Sequence, residues 1–206
     1  MDIKHPPEVT RRAVLLMLGG AAAAIATNQT AAAMAPARVG VTSLKRMTDK
    51  QLVDQLDSND YRVGKDVAEI IVSRGAKMVE PLLRMKGHKQ PYSGSLGNPQ
   101  GSMTTVMPMP GISLTSEQWE RVVTVEASAL YLVCAIYFER LDFASSALLT
   151  DLDDLPEKRR ALNKEVYLQR AFASAQAWSD ECKMEGLQAL RDREEDPLKS
   201  ARLAFW

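Results

Sequence analysis

Residues 115–140 read TSEQWERVVTVEASALYLVCAIYFER, and this stretch decides the fold. Thr115 and Gln118 have the spacing of a capping box, in which each side chain bonds the backbone amide of the other at the start of a helix. Apolar residues follow on two helical faces: Trp119, Val122, Val123, Leu130, Val133 and Tyr137 on one, and Val125, Ala129, Leu132 and Ile136 on the other. A helix that is apolar around most of its circumference is buried. The stretch therefore predicts a central, buried helix over residues 115–140.

The composition predicts a single globular domain without a nucleic-acid partner. Of the 206 residues, 46% are hydrophobic and 25% are charged, which is ordinary for one folded domain. The formal net charge is zero, and the chain beyond residue 35 carries 23 basic and 24 acidic side chains. Domains that bind nucleic acid carry a clustered basic surface, so this charge balance argues against such a partner.

The first 35 residues have the features of an export leader. A polar start is followed by Arg11 and Arg12, by a mildly apolar run from Ala13 to Ala26, and by small residues in A-x-A spacing up to Ala35. The pattern resembles a twin-arginine signal, which implies export to the periplasm, with the membrane met only in transit. An uncleaved N-terminal membrane anchor is the alternative, although the 14 residues of the apolar run fall short of the ~20 that span a bilayer.

Residues 36–46 are predicted to be an extended linker, and residues 48–86 a block of short helices. Thr48 and Gln51 form a second capping box, and glycines at 75 and 87 are predicted to end the next two helices. The block resembles one HEAT-type repeat through the following residues: Leu52-Val53, Leu56, Asp57–Asp60, Arg62-Val63, Ala68–Ile71, Gly75 and Val79–Leu83. The resemblance implies a helical hairpin that offers a binding or scaffold surface and docks on the later helices.

Residues 87–114 are predicted to form a long loop. They contain five glycines and four prolines and show no helical periodicity. Loops of this length inside compact domains are usually functional or disordered. We therefore expect the functional surface here, with these binding residues: Tyr92, Met103, Met107 and Met109.

The remaining chain completes an all-α prediction. Residues 141–154 are predicted to form a short helix or a pair of turns. A long helix is predicted over Pro156–Glu185, because proline favours the first helical position, and a short helix over 187–193 follows. The aromatic residues of the tail at 203–206 are expected to dock on the core. Together these elements predict a small helical bundle or orthogonal helical domain, with a HEAT-like hairpin and a long Gly/Pro loop.

Glu126 is a carboxylate in the apolar middle of the predicted central helix. Burying an unpaired carboxylate is costly, so the sequence predicts a partner: an arginine, a tyrosine hydroxyl or loop amides. A functional interpretation makes Glu126 a general acid or base, acting with His88 or with a second carboxylate such as Asp142. A structural ion pair or an orientation toward solvent is the other interpretation, and no G-x-S-x-G elbow or phosphate-binding glycine motif accompanies Glu126.

Copper handling through the loop methionines is a third hypothesis. Met103, Met107 and Met109 supply thioethers, which suit Cu(I), although methionine also packs irregular loops as a flexible filler. Beyond the leader, His88 is the only histidine, so a zinc site of ordinary composition has too few ligands. We predict no cofactor.

Cys134 and Cys182 have two possible states. Export would place them in an oxidising compartment, where a disulfide persists, but the bond requires Cα atoms within ~7 Å. In a plain antiparallel hairpin of the two long helices the axial gap is ~30 Å, and a returning helix between them reduces it to ~12 Å. Two buried free thiols are therefore the default expectation.

Two functional hypotheses follow. The leading one is an exported binding or scaffold protein, not an enzyme, whose partner is a protein or an envelope component. Its rival is a hydrolase of an envelope polymer that uses Glu126 with His88 or Asp142. The rival requires Glu126 to line a cleft that is open to water.

Overall fold

The computed structural model describes residues 41–57, 61–92, 94, 96, 106 and 108–206. The leader with Arg11 and Arg12, and the loop methionines Met103 and Met107, lie outside the described residues. The chain divides into two units, Met1–Ala37 and Arg38–Trp206, and every described residue belongs to the second. Within the described ranges, no helix combines the length and the apolar character needed to cross a membrane.

The described part of the chain is mostly helical, as the sequence predicts. Its α-helices are α1 (Val41–Lys45), α2 (Asp49–Asp54), α3 (Tyr61–Arg74), α4 (Val79–Leu83), α5 (Ser116–Trp119), α6 (Val125–Phe138), α7 (Glu165–Glu185) and α8 (Leu187–Asp192). Two short strands, β1 (Leu149–Asp151) and β2 (Leu203–Phe205), pair in an antiparallel sheet. Short 3-10 turns cover Gln55–Asp57, Gly75–Met78, Pro156–Lys158 and Lys199–Ala201.

Helix α6 forms the centre of the core. Every residue from Val125 to Tyr137 is buried, and the helix contacts α3, α4 and α7. The predicted central helix is therefore confirmed over residues 125–138. The prediction is wrong for residues 115–124, which form the separate single turn of α5 and a bend.

Hydrogen bonds from distant residues interrupt the predicted helix between α5 and α6. Val106 N–H donates to the carbonyl of Arg121 at 2.9 Å, and Tyr92 N–H donates to the carbonyl of Val123 at 2.8 Å. The side-chain amide of Asn163 donates to the carbonyl of Val122 at 3.2 Å. Thr124 then starts α6, since its hydroxyl accepts the N–H of Ala127 at 3.3 Å. β-Branched residues are weak helix formers, so Val122 and Val123 form these tertiary bonds and do not continue α5 into α6.

The N-terminal helices follow the sequence with two differences. The capping box is confirmed, because Thr48 Oγ1 accepts the amide of Gln51 at 3.2 Å and Gln51 Oε1 accepts that of Thr48 at 2.9 Å. Three apolar residues of α2 and the turn after it are buried: Leu52, Val53 and Leu56. However, part of the predicted linker is helical, since residues 41–45 form α1 and Leu44 is fully buried. The helix that is predicted to end at Gly87 begins as a 3-10 turn over Gly75–Met78, which continues directly into α4.

The long C-terminal helix starts later than predicted. Pro156 does begin a helical turn, but only a 3-10 turn, and α7 begins at Glu165. The segment between them is held against β1, where Leu162 N–H donates to the carbonyl of Leu149 at 2.8 Å. The predicted end is confirmed, because Gly186 follows α7 with a φ of +88°, a conformation that favours glycine.

The tail docks on the core, as predicted, but it does so as a strand. Leu149 pairs with Phe205 and Asp151 with Leu203, so residues 141–154 contain β1 where a short helix or turn pair was predicted. The ring of Phe205 lies 5.3 Å from that of Tyr131 in α6. Strand pairing and ring packing therefore fix the end of the chain to the central helix.

Asp151 anchors this sheet to α7. Its carboxylate accepts a bond from Arg170 at 2.6 Å, and Arg170 also donates to the carbonyl of Ala201 at 2.6 Å. Burial by itself raises the pKa of the Asp151 carboxyl. The bonds from Arg170 and from the Asp153 amide, with the charges of Arg170 and Arg202, outweigh burial and hold that pKa below its ordinary value.

The lowered pKa predicts a loss of stability in acid. The stability that Asp151 supplies is present above the unfolded pKa of ~3.9 and is lost as the pH falls through the lower folded pKa. In urea unfolding, the difference in free energy of unfolding between wild type and Asp151→Asn should stay constant from pH ~5 to ~7 and shrink below pH ~4. Asp142→Asn is the control, since that carboxylate is 76% exposed and 4.0 Å from Arg140. An equal change in both variants would contradict the role of Asp151.

Both cysteines are free, buried thiols, which is the second of the two predicted states. Cys134 lines a cavity together with Leu198 and Phe205, whereas Cys182 lines a different cavity together with Ala76. Burial raises the pKa of the Cys134 thiol and of the Cys182 thiol. Since the thiolate is the reactive form, neither thiol is poised for nucleophilic chemistry.

Candidate functional site

The first part of the long loop, residues 87–92, lies across the N-terminal end of α6. Three backbone bonds hold it: Glu126 N–H to the His88 carbonyl (3.1 Å), Val125 N–H to the Gln90 carbonyl (3.0 Å) and Tyr92 N–H to the Val123 carbonyl (2.8 Å). The first amides of a helix have no partner inside the helix. Here the loop and the Thr124 hydroxyl bind them, so protein groups already occupy this end of α6.

The Glu126 side chain fixes the same segment. Glu126 is 4% exposed, and its Oε2 accepts the N–H of Gly87 at 2.8 Å. Gly87 has a φ of +87°, a conformation that costs other residues more than glycine. A loop amide is one of the partners predicted for Glu126 from the sequence. The carboxylate is therefore buried and bonded to a loop amide.

An ion pair connects the loop to the first residue of α7. Lys89 Nζ lies 2.7 Å from Glu165 Oε2. The bond and the charge of Glu165 raise the pKa of Lys89, and the bond from Lys89 lowers the pKa of Glu165. Both side chains are more than half exposed, where solvent screens such pairs. The pair therefore orients the segment and adds little to stability.

The burial of Glu126 does not match the open cleft that the hydrolase hypothesis requires. Glu126 and His88 are brought together, but through the backbone bond between Glu126 N–H and the His88 carbonyl. Asp142 lies beside Arg140, with a carboxylate that is 76% exposed. Glu126 is buried and bonded to Gly87, so it does not line the water-filled cleft that a general acid or base of this kind requires.

Tyr92 is a core residue in the structure, although its place in the loop predicts a binding residue. Tyr92 is 7% exposed and packs within the hydrophobic core. Burial raises the pKa of its hydroxyl. The hydroxyl approaches Gly94 so closely that a Cβ there would lie 2.4 Å away. A partner would have to displace the core to reach this ring, so Tyr92 positions the loop and does not present a contact.

Three of the exposed large apolar residues lie where the loop returns to the core, in residues 108–119, which we call the return segment. Met109 is 63% exposed, Ile112 is 58% exposed and Trp119 is 45% exposed. Trp119 was predicted on a buried face, and it is exposed because α5 is separate from α6. The N-cap at Thr124, directly before an apolar run, is the sequence signal that would have revealed this division. Of the three predicted methionines, only Met109 lies among the described residues.

Changing Glu126 tests whether it holds the loop. Glu126→Gln keeps an acceptor for Gly87 N–H, so we expect a loss of unfolding free energy below about 1 kcal/mol, whereas Glu126→Ala removes a bond to a charged group and should cost about 1.5–3 kcal/mol. Native-state hydrogen exchange should be faster at the Tyr92 amide in Glu126→Ala than in wild type. Glu117→Ala, at a side chain that is 68% exposed, is the control. Unchanged exchange in Glu126→Ala would show that this carboxylate does not hold the loop.

No three His, Cys, Asp or Glu side chains among the described residues come together in an arrangement that could hold a metal ion. The methionine hypothesis for copper stays a prediction, since Met103 and Met107 lie outside those residues. Comparisons with protein-family models, with curated proteins and with solved structures find no match.

Proposed function

We propose that this chain is an exported, periplasmic helical binding protein whose partner, a protein or another envelope component, docks on the long loop. One observation carries the proposal: the loop is held by hydrogen bonds to residues 121–126 while its return segment exposes Met109, Ile112 and Trp119. Function is commonly placed on loops that a rigid scaffold positions.

The physical character of the return segment supports a protein-like partner. Exposed apolar side chains within one short segment favour contact with another surface, because covering them removes apolar area from water. Tryptophan and methionine are enriched in protein interfaces, and tryptophan often dominates their energy. Since residues 121–126 already bond the loop at residues 88–92 and at Val106, less ordering free energy is lost when a partner binds.

Two sequence features point the same way. The resemblance of the first residues to a twin-arginine signal implies export, which brings the chain to the envelope. The resemblance of residues 48–86 to a HEAT-type repeat implies a hairpin that supports a binding surface. In this proposal the hairpin helices brace α6, and α6 carries the loop.

Capture of an envelope component by the purified full chain tests the proposal. The double variant Met109→Ser/Trp119→Ser should capture at least about tenfold less of this component than wild type does. Loss of an interface tryptophan alone often lowers affinity by this factor. The matched control is Val166→Ser/Met184→Ser, because those α7 side chains are 54% and 78% exposed. Equal losses in the two double variants, or no loss in the first, would contradict the loop as the binding surface.

A further inference from the structure

A groove of about 440 Å³ lies at the other end of α6. Its walls are aromatic and aliphatic: Phe138, Phe143, Leu152, Leu198, Leu203 and Phe205. Pockets for small molecules are concave, mostly apolar and about 300–1,000 Å³ in volume. The groove has the size and the lining of a small-molecule site.

The aromatic wall is assembled before any ligand arrives. Phe138 stacks on Phe143 with ring centroids 4.9 Å apart and an interplanar angle of 23°, and Phe143 lies 4.6 Å from Tyr131. The Tyr131 hydroxyl donates to the carbonyls of Leu141 and Ala144, which fixes the segment that carries Phe143. A wall whose rotamers are already held loses little entropy when it binds a ligand.

Two apolar side chains of this wall remain in contact with water. Phe138 is 43% exposed although it is the last residue of the buried helix α6, and Leu152 is 38% exposed beside it in the groove lining. Covering such surface with an acyl chain or a ring removes apolar area from water. The wall therefore favours a ligand with an apolar body.

The charged rim suggests the head of that ligand. Arg202 is paired with Asp153, and Asp196 accepts the backbone N–H of Leu198 at 2.8 Å. Lys199 donates to the neutral carbonyl of Glu194 at 3.1 Å, and no carboxylate in the described part of the chain lies within salt-bridge distance of its ammonium. Its positive charge can therefore meet an anionic head group, beside the Asp196 carboxylate that lines the same rim.

We propose that this groove binds a single-chain amphiphile with a carboxylate head, such as a medium-chain fatty acid. The acyl chain lies along Phe138, Phe143 and Phe205, and the carboxylate meets the ammonium of Lys199. Cys134, which is 2% exposed, forms part of the apolar floor. The site is independent of the loop surface and needs no movement of the return segment.

Calorimetric titration of the full chain with decanoate tests the proposal. We expect wild type to bind decanoate saturably at one site. Ala204→Leu fills the groove from a half-buried position of β2, and Phe138→Ala removes part of the wall. Each variant should bind decanoate at least about tenfold more weakly. Lys199→Met should lower the affinity for decanoate by about fivefold, because it removes only the charge at a screened site. It should not lower the affinity for decylammonium.

The matched control is Lys183→Met, because Lys183 lines a different cavity, between α4 and α7. It should leave the affinity for decanoate unchanged. Absence of saturable binding, tighter binding of decylammonium than of decanoate, or unchanged affinity in both Ala204→Leu and Phe138→Ala would each overturn the proposal. A loss in Lys183→Met equal to that in Lys199→Met would overturn the role of Lys199.

Discussion

Leu130→Ala should lower the free energy of unfolding by about 2–5 kcal/mol. Leu130 is fully buried in α6, where each residue from Val125 to Tyr137 is buried. Removing its side chain loses the transfer free energy of the buried methyl and methylene groups and leaves a cavity, because packed neighbours relax only partly. Urea or thermal unfolding monitored by circular dichroism measures the change.

Leu155→Ala is the control for this prediction. It makes the same chemical change at a leucine that is 55% exposed, so we expect an effect within about 0.5 kcal/mol. Equal effects in the two variants would mean that α6 is not the centre of the core. The contrast separates burial in α6 from the general cost of replacing leucine.

Arg191→Met should lower the free energy of unfolding by about 2–4 kcal/mol, the second largest effect that we expect. The Arg191 guanidinium, in α8, donates to the carbonyls of Ile136 at 2.7 Å and Tyr137 at 2.8 Å and to Glu139 at 2.6 Å. The last carbonyls of a helix have no partner inside it, and a cation there also complements the helix dipole. Its side chain is only 19% exposed, so water replaces these bonds incompletely.

Two further variants make this prediction specific. Arg191→Lys keeps the charge but not the planar fork of donors, so its loss of stability should lie between those of wild type and Arg191→Met. Arg140→Met removes a cation just beyond α6 whose side chain is 61% exposed, and it should change the free energy of unfolding by less than about 0.5 kcal/mol. Equal losses in Arg140→Met and Arg191→Met would contradict the capping role of Arg191.

Local signals predicted the parts of the fold that depend on local chemistry. Thr48 and Gln51, and likewise Thr115 and Gln118, form the capping boxes that their spacing predicts, because both partners lie within one turn. Gly186 ends α7 for an equally local reason. The composition of α6 predicted its burial, because a helix that is apolar on all sides has no face for water.

Long-range bonds decided what the sequence did not reveal. The bend before Thr124 depends on carbonyls that accept bonds from Tyr92, Val106 and Asn163, and no periodicity within residues 115–140 encodes those partners. The strand at Leu149 likewise requires the tail at Phe205, which lies far along the chain.

The candidate site was predicted in its location and less well in its residues. The Gly/Pro loop and the discordant Glu126 were both recognised, and the structure joins them through the bond to Gly87. Tyr92 was placed on the surface because an aromatic residue in a loop resembles a contact, yet the loop uses it to fill the core. Trp119 was placed in the core because it follows the helical period of a helix that in fact ends there.

Site-specific photo-cross-linking tests most directly whether the return segment is the binding surface. A photoreactive amino acid is introduced into the full chain at Ile112, which is 58% exposed in that segment, and in a second protein at Met184, which is 78% exposed on α7. Irradiation in the intact envelope should give a discrete cross-linked product from position 112 and none of that size from position 184. Equal products from both positions, or a product from position 184 alone, would contradict the proposed binding surface.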